Sequence, residues 1–239
     1  MENKTPLWLV ALILGVSTIA AFATLGWYQK QARTENILEV TGSAKQRITS
    51  DRVKWSAGFS RSVGINELKE GYAQMKQDQA EVEKFLTKNG VTKDSLNISA
   101  IFVEEPNKYN SQAPQTYTLR QNVEVRSSEV EKITNLAKNL QDLIDKNVIF
   151  STQNLEYTYS KLPELRVSMV ESAIKDAKAR AEKIAQSTDR TLGSAKSASQ
   201  GVVQLLSPES NDISDYGSYD SQSIEKDAMI TVRLTFNLK

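Results

Sequence analysis

The chain has 239 residues, and its 30 Lys and Arg nearly balance its 29 Asp and Glu, so its formal charge is +1. This balance argues against nucleic acid as a partner, because nonspecific binding to phosphates needs a basic surface. The chain contains neither His nor Cys, which excludes His- and Cys-based metal sites, Ser-His-Asp and Cys-His catalysis, and disulfides.

The first predicted element is a membrane helix. Residues 7–28 contain no charged side chain, and at ~1.5 Å of rise per residue they match the hydrocarbon thickness of a bilayer. Aromatic rings at both ends suit the two membrane interfaces: Trp8, Trp27 and Tyr28. We therefore expect a short tail over residues 1–6, a single-pass signal-anchor over 7–28 and a polar linker over 29–36.

Two other interpretations of this apolar run stay open. One is a signal peptide cleaved after Ala23, because residues 21–23 form an A-x-A pattern. The other is a helix buried in the protein core. The run is apolar on every side and continues past Ala23, which favours an uncleaved anchor. The flanking basic residues do not decide its orientation, since they lie on both sides.

A first β-α-β unit follows the linker. The segment that begins at residue 37 predicts a strand ending at Gly42. Alternating apolar residues predict strands over 53–60 and 97–103, and helical spacing predicts a helix over 66–88 between them. Gln79 is the one polar residue that interrupts the apolar stripe of this helix.

A second β-α-β unit repeats the pattern. Alternation predicts a strand over 117–126, in which Gln121 is a polar exception on the apolar side. Residues 128–131 resemble a capping box and predict the start of a helix over 129–146. A further strand is predicted over 154–160.

A long third helix begins near Pro163, a residue that suits the first helical turn. Small side chains on this helix, Ala173, Ala177 and Ala181, allow close approach to a neighbouring element. The apolar spacing predicts a buried stripe made of Val170, Ile174, Ala177, Ala181 and Ile184.

The C-terminal part combines a polar, acidic segment over 207–227 with a strand over 230–238 that alternates apolar and polar residues. The predicted fold is therefore α+β. It consists of a transmembrane helix followed by a domain over 37–239, which has two β-α-β units with helices on one face of a sheet, the third helix and the terminal strand.

Several segments occur together in an order that resembles a known family. They are residues 40–42 with Asp51, residues 173–177 and 181–185 of the third helix, Leu192-Gly193 and the terminal strand. The order is similar to that of the SIMPL-domain family, which includes bacterial periplasmic immunogenic and oxidative-stress-defence proteins.

The resemblance implies an extracytoplasmic α+β domain without established catalytic residues and with a tendency to form large homo-oligomers. It also implies an N-terminus inside the cell and a domain outside. The chain departs from the family pattern at three turn positions, where it has Ala44, Ser50 and Asp189.

Other candidate sites have simpler structural interpretations. The carboxylates Asp212, Asp215 and Asp220 offer oxygen ligands for Ca²⁺, but a solvated loop is the favoured interpretation. Asp51 and Asp176 are candidates for acid-base chemistry, although a turn and a surface ion pair explain them better. Four tyrosines suit either a ligand groove or the edge of a sheet: Tyr109, Tyr117, Tyr157 and Tyr159. We assign no catalytic residue, metal or cofactor.

The expected function is that of a non-enzymatic scaffold at the cell membrane, with its domain in the periplasm or on the cell exterior and with a role in envelope or oxidative stress defence. Self-assembly is expected through the third helix and, if it lies at a sheet edge, through the terminal strand, with these contact candidates: Ala173, Ala177, Ala181, Ile230, Val232 and Leu234. The loops 104–116 and 207–227 are candidates for partner contact through three tyrosines: Tyr109, Tyr216 and Tyr219.

Two other functions remain open. The alternative to a scaffold is a module that binds a small ligand or an envelope polymer of unknown identity. A carboxylate-dependent hydrolase is a third candidate, but no motif identifies the raised-pKa acid that it needs.

Overall fold

The computed structural model describes residues 7–33, 36–105, 116–210 and 217–239. The helices are α1 (Leu7–Arg33), α2 (Leu68–Lys88), α3 (Val130–Lys138), α4 (Gln141–Ile144) and α5 (Leu162–Ser187). The strands are β1 (Ile37–Thr49), β2 (Arg52–Gly64), β3 (Leu96–Ile98), β4 (Phe102–Glu104), β5 (Thr116–Ser127), β6 (Phe150–Thr158), β7 (Leu192–Gln200), β8 (Gln204–Leu206) and β9 (Glu225–Leu238).

The chain forms two compact units. The smaller unit contains the chain up to Ser43, together with Val170–Gly201 and Thr231–Lys239. The larger unit contains Ala44–Met169 and Val202–Ile230. Three elements, β1, α5 and β9, therefore have residues in both units.

The larger unit confirms the two predicted β-α-β units. Its main sheet has the order β3-β5-β2-β6, with β4 also paired to β5, and all of these pairs are antiparallel. Each helical connection, β2-α2-β3 and β5-α3-β6, therefore joins two parallel strands that have one antiparallel strand between them. This is the ferredoxin-like, split β-α-β arrangement.

Apolar faces of α2 and α3 cover this sheet and form the core of the larger unit. Large apolar side chains from the central strands and from both helices are fully buried there, as their alternating and helical spacing predicts: Trp55, Phe59, Met75, Leu86, Leu119 and Ile133. The Trp55 ring meets the Phe150 ring edge-on at 5.8 Å, and its indole N–H donates to Thr152 Oγ1 at 3.1 Å.

Local hydrogen bonds change several predicted boundaries in the larger unit. The predicted strand 97–103 is two short strands, because the chain leaves the ladder at Ser99, whose carbonyl accepts the Gln121 amide at 2.9 Å. The predicted helix 129–146 is interrupted after Lys138. The predicted capping box is wrong: Ser127 Oγ, not Ser128, accepts the Glu129 N–H at 3.0 Å.

Strand β1 continues to Thr49 and does not end at Gly42 as predicted. The reason is that Gly42 lies against α5 within the strand. A Cβ atom at this position would lie 2.2 Å from the carbonyl oxygen of Ala173 and 2.4 Å from the nitrogen of Ala177. The missing side chain therefore permits close helix-on-strand packing and does not mark a turn.

The buried face of α5 differs from the predicted stripe. A row of alanines spaced four residues apart is 0 % exposed: Ala173, Ala177, Ala181 and Ala185. By contrast, Ile174 and Ile184 are 39 % and 43 % exposed. Close packing on Gly42 explains the difference, because only alanine is small enough for the face nearest to the strand, so the larger residues lie at its margins.

Helix α1 extends the predicted anchor, since residues 29–33 of the predicted linker are helical. Trp27 and Tyr28 are exposed, and the Trp8 side chain lies outside the described residues. Apolar side chains along the helix are also exposed: Leu12, Leu14, Val16, Ile19, Phe22 and Leu25. In the part of the chain that the structure describes, no helix combines the length and hydropathy needed to cross a membrane.

Candidate functional site

The residues predicted to contact another copy lie inside the chain itself. Ala173, Ala177 and Ala181 are fully buried, and the terminal-strand candidates are 1–5 % exposed: Ile230, Val232 and Leu234. Their side chains therefore already pack within one copy and present no surface to a second one.

The terminal strand is not the edge of its sheet, so the condition for pairing its backbone with another chain is not met. The sheet order is β1-β9-β7, so β9 has a strand on each side. Among the described residues, β1 and β7 each have β9 as a strand neighbour on one side alone. The backbone groups of this sheet that have no strand partner among the described residues therefore belong to β1 and β7. One of them, the Ser43 N–H of β1, donates to Asp176 Oδ2 of α5 at 2.9 Å.

Strand β7 is an unusual edge. Every residue from Ser194 to Gln200 is exposed, and the segment SAKSASQ consists mostly of small side chains. The Gly201 N–H donates to the Thr231 carbonyl of β9 at 2.9 Å. Because N–H directions alternate along an antiparallel strand, the N–H groups of Ala198 and Gln200 point away from β9. They are free to pair with another strand.

The outer side of β1 is bordered by α5 within the smaller unit. Together the strand and the helix line an open groove of about 600 Å³, made of Glu39, Val40, Thr41, Ala179, Arg180, Lys183 and Ile184. An added strand would pair with the β1 backbone while its side chains on one face lie beside the helix.

In the sheet of the larger unit, one edge is interrupted and the other has a backbone N–H that is already paired. The interruption lies between β3 and β4. There the Ser99 carbonyl accepts the Gln121 side-chain amide and the Ser99 hydroxyl accepts the Asn122 N–H, so the regular ladder of strand hydrogen bonds is broken. At the other edge, the Tyr157 N–H of β6 donates to the carbonyl of Ser221 at 2.8 Å. Both features limit pairing with another chain, so β1 and β7 remain the best candidate edges.

The two candidate acid-base carboxylates have structural partners. Burial alone would raise the pKa of Asp51, but hydrogen bonds from the Ser160 hydroxyl and N–H, at 2.6 and 2.8 Å, lower it. The Ser43 N–H at 2.9 Å, followed by Arg180, lowers the pKa of Asp176. A general acid needs a raised pKa, so neither carboxylate has the property that this role requires.

The remaining candidates divide between described and undescribed segments. Asp220 accepts the N–H groups of Gln222 and Ser223, as a turn residue does. Tyr157 is buried and shares a hydrogen bond with Thr134, while Tyr219 is exposed. Four candidates lie outside the described residues: Tyr109, Asp212, Asp215 and Tyr216.

Sequence reasoning missed β7 as an element and therefore as an edge. Its segment LGSAKSASQ has no alternation of large apolar and polar residues, which is the signal that identifies a half-buried strand. Its exposure on both faces explains the missing signal.

Comparison with known proteins agrees with the order of segments noted in the sequence. A search of curated proteins finds no match. A family model matches residues 38–236, nearly all of the chain after helix α1, and carries the description "Protein of unknown function (DUF541)". The chain therefore belongs to the SIMPL family.

Proposed function

We propose that this protein is a membrane-tethered, non-enzymatic scaffold outside the cytoplasm that assembles from identical copies by extending its β1-β9-β7 sheet. This proposal rests on the observation that β1 and β7 lie on opposite sides of β9, and neither has a second strand neighbour among the described residues. Pairing β7 of one copy with β1 of the next joins unlike surfaces. Such head-to-tail contacts form a closed ring or an open filament, depending on the rotation between copies.

The side chains of the two edges suit each other. Apart from Lys196 and Gln200, the exposed residues of strand β7 are alanine and serine, and the groove beside β1 is bordered by α5. Small side chains let the added strand approach β1 without meeting the helix. A membrane tether would strengthen this weak pairing, because it raises the effective concentration of neighbouring copies.

Support for the tether comes from the charge-free sequence of residues 7–28 and from the exposed apolar side chains of α1. The resemblance of the chain to oxidative-stress-defence proteins suggests the setting of the scaffold, which is protection of the cell envelope under stress.

The tether predicts retention in membranes. We expect the protein to remain in the pellet after a carbonate wash, and its domain to be digested when protease is added to spheroplasts. The variant Leu14→Lys with Ile19→Lys should be released, because charges near the centre of a membrane helix are costly. Leu14→Val with Ile19→Val is the matched control. A wild-type protein that begins at Thr24 and is found in the soluble fraction would contradict the tether.

The strand-edge interface predicts a specific effect of proline. The variant Ala198→Pro removes an N–H that points away from β9, so the copy should fold while its β7 edge loses a donor. We expect light scattering after size-exclusion chromatography, on full-length protein in detergent, to show assembled wild type and monomeric Ala198→Pro.

The control for this experiment is Ala198→Val, which keeps the N–H and should assemble as the wild type does. Circular dichroism should show the same fold for both variants. Equal masses for Ala198→Pro and wild type, or a wild type that is monomeric at every concentration, would refute the sheet-extension interface.

A binding module is the second candidate, and the groove beside β1 favours it, because a strand from another protein would pair there as β7 does. The Ala198→Pro variant separates the two functions. Capture of a different protein by β1 does not need β7, so binding would survive this substitution whereas self-assembly would not.

A further inference from the structure

A groove in the larger unit lies between the end of α2 and the helices α3 and α4. It has a volume of about 470 Å³, which is within the range of small-ligand sites. Its lining residues are Phe85, Asn89, Lys132, Asn135, Leu136, Asn139 and Asp142. Phe85 and Leu136 are almost completely buried and belong to the core, so they supply an apolar floor.

Hydrogen bonds hold two of the three amides in the groove in place. The Asn89 Nδ2 donates to the carbonyl of Phe85 and the Asn139 Nδ2 donates to the carbonyl of Asn135, both at 2.8 Å. Each amide nitrogen is thereby tied to the end of its own helix, which leaves the amide oxygen as an oriented acceptor. Asn135 is exposed, and no described residue is its side-chain hydrogen-bond partner, so it can both donate and accept.

The charged groups of the groove are neutralised by neighbours. Lys132 pairs with Glu129 at 2.9 Å, and Asp142 pairs with Lys88 at 3.3 Å. One Lys and one Asp line the groove, so their formal charges cancel. The groove therefore offers no net charge that would select an anion or a cation.

From this geometry we infer that the groove binds a neutral sugar residue. A sugar ring carries closely spaced hydroxyl groups that both donate and accept hydrogen bonds, and it has an apolar face formed by its C–H groups. The three amides match the hydroxyls, and the floor matches the apolar face. A phosphate or a carboxylate ligand would instead need unpaired cations.

The space next to this groove indicates an oligosaccharide as the ligand. A second depression of about 480 Å³ shares Phe85 and Asp142 with the first one, and the rest of its lining is Lys84, Lys88, Asp145 and Lys146. Lys88 pairs with Asp142 and Lys146 pairs with Glu81, so the two remaining charges, those of Lys84 and Asp145, are opposite. Two adjoining depressions with common lining residues give room for consecutive rings. The ligand class is therefore a neutral oligosaccharide or a stretch of a polysaccharide.

Saturation-transfer NMR tests this proposal on the full-length protein with two trisaccharides, triacetylchitotriose and maltotriose. The protein should be kept in a phosphocholine detergent, because detergents with sugar headgroups would compete for the groove. We expect saturable transfer to the ring protons of at least one trisaccharide, and the same Kd in low and high salt, since both trisaccharides are uncharged.

The variant Asn135→Ala should weaken the Kd by about tenfold, because it removes an amide that directly contacts the sugar. It should leave the fold unchanged, since no described group depends on that side chain. Asn97→Ala, which removes an exposed amide on β3 outside the groove, is the matched control and should bind as the wild type does.

Three results would overturn the proposal. They are the absence of saturable transfer for both sugars, equal affinity of Asn135→Ala and wild type, and binding that is lost at high salt. The outcome does not depend on self-assembly, because neither β1 nor β7 contributes to the groove.

Discussion

Replacing Gly42 with alanine is expected to destabilise the protein by about 3 kcal/mol, the upper range for overpacking a well-packed site. The new Cβ atom would lie 2.2 Å from the Ala173 oxygen, 2.4 Å from the Ala177 nitrogen and 2.6 Å from the Ala177 Cβ. Two of these atoms belong to the helix backbone and cannot rotate away. The helix would have to move off the strand, and the packing of its alanine row would be lost.

The midpoint of urea denaturation, measured by circular dichroism in one detergent for all variants, checks this expectation. Gly64→Ala is the matched control, because a Cβ atom there would meet the flexible Glu67 side chain at 3.2 Å and the backbone φ is −63°. Its midpoint should change little. A Gly42→Ala midpoint equal to that of Gly64→Ala would show that α5 does not pack on Gly42 as described.

The second large effect is expected for Asp227→Asn in the larger unit. The Asp227 carboxylate is 2 % exposed and accepts hydrogen bonds from Arg47 at 2.5 and 3.2 Å. Lys45 lies 3.0 Å away, and the Glu209 N–H donates at 3.3 Å. Losing the charge leaves these donors without their ionic partner, at a cost of about 2–3 kcal/mol at neutral pH. The two cations are half-exposed and can turn to water, which keeps the cost below that of a fully buried pair.

This effect should depend on pH in a defined direction. The Arg47 guanidinium, together with Lys45 and the Glu209 N–H, holds the pKa of Asp227 well below its ordinary value. A carboxylate with a lowered pKa in the folded state stabilises the protein above its unfolded pKa of about 4, and this stabilisation is lost as the pH falls below that value. The difference in urea midpoint between wild type and Asp227→Asn should therefore be full at pH 7 and shrink at pH 3.

Glu171→Gln provides the comparison for Asp227→Asn. Its pKa is also lowered, by the side chain of Lys175, but this ion pair lies on the exposed surface of α5. Exposed ion pairs contribute little, so this variant should change the midpoint far less at either pH. A constant difference between Asp227→Asn and wild type from pH 7 to pH 3 would contradict the ionic role of Asp227.

Two glutamines that interrupt apolar faces could be located from the sequence, but the contact between them could not. Each was recognisable as an exception, Gln79 on a helix and Gln121 on a strand. The structure brings them together: the Gln121 Nε2, buried in the core, donates to the Gln79 Oε1 at 3.1 Å. The pattern located both residues, but their pairing required the helix to cross the sheet at one particular place.

For the α5 helix, the element itself could be predicted, but the element that packs against it could not. The existence of α5, its start near Pro163 and its alanine content could be read from the sequence, yet of the predicted stripe only Ala177 and Ala181 are fully buried. Ala173, Ala177 and Ala181 cover the chain's own strands because Gly42 makes room for them. A row of small residues indicates close approach, but it does not identify the element that approaches.

The α+β class and both β-α-β units could be predicted from the sequence, because periodicity records which face of each element is buried. The family could be recognised from the order of its segments. The position of β9 between β1 and β7, and the place of the exposed β7 at an edge of the sheet, are visible in the folded chain alone. Strand order depends on backbone hydrogen bonds between distant segments. These bonds leave no periodic trace in side chains, so the edges, and the surface that we propose for assembly, appear only in the folded chain.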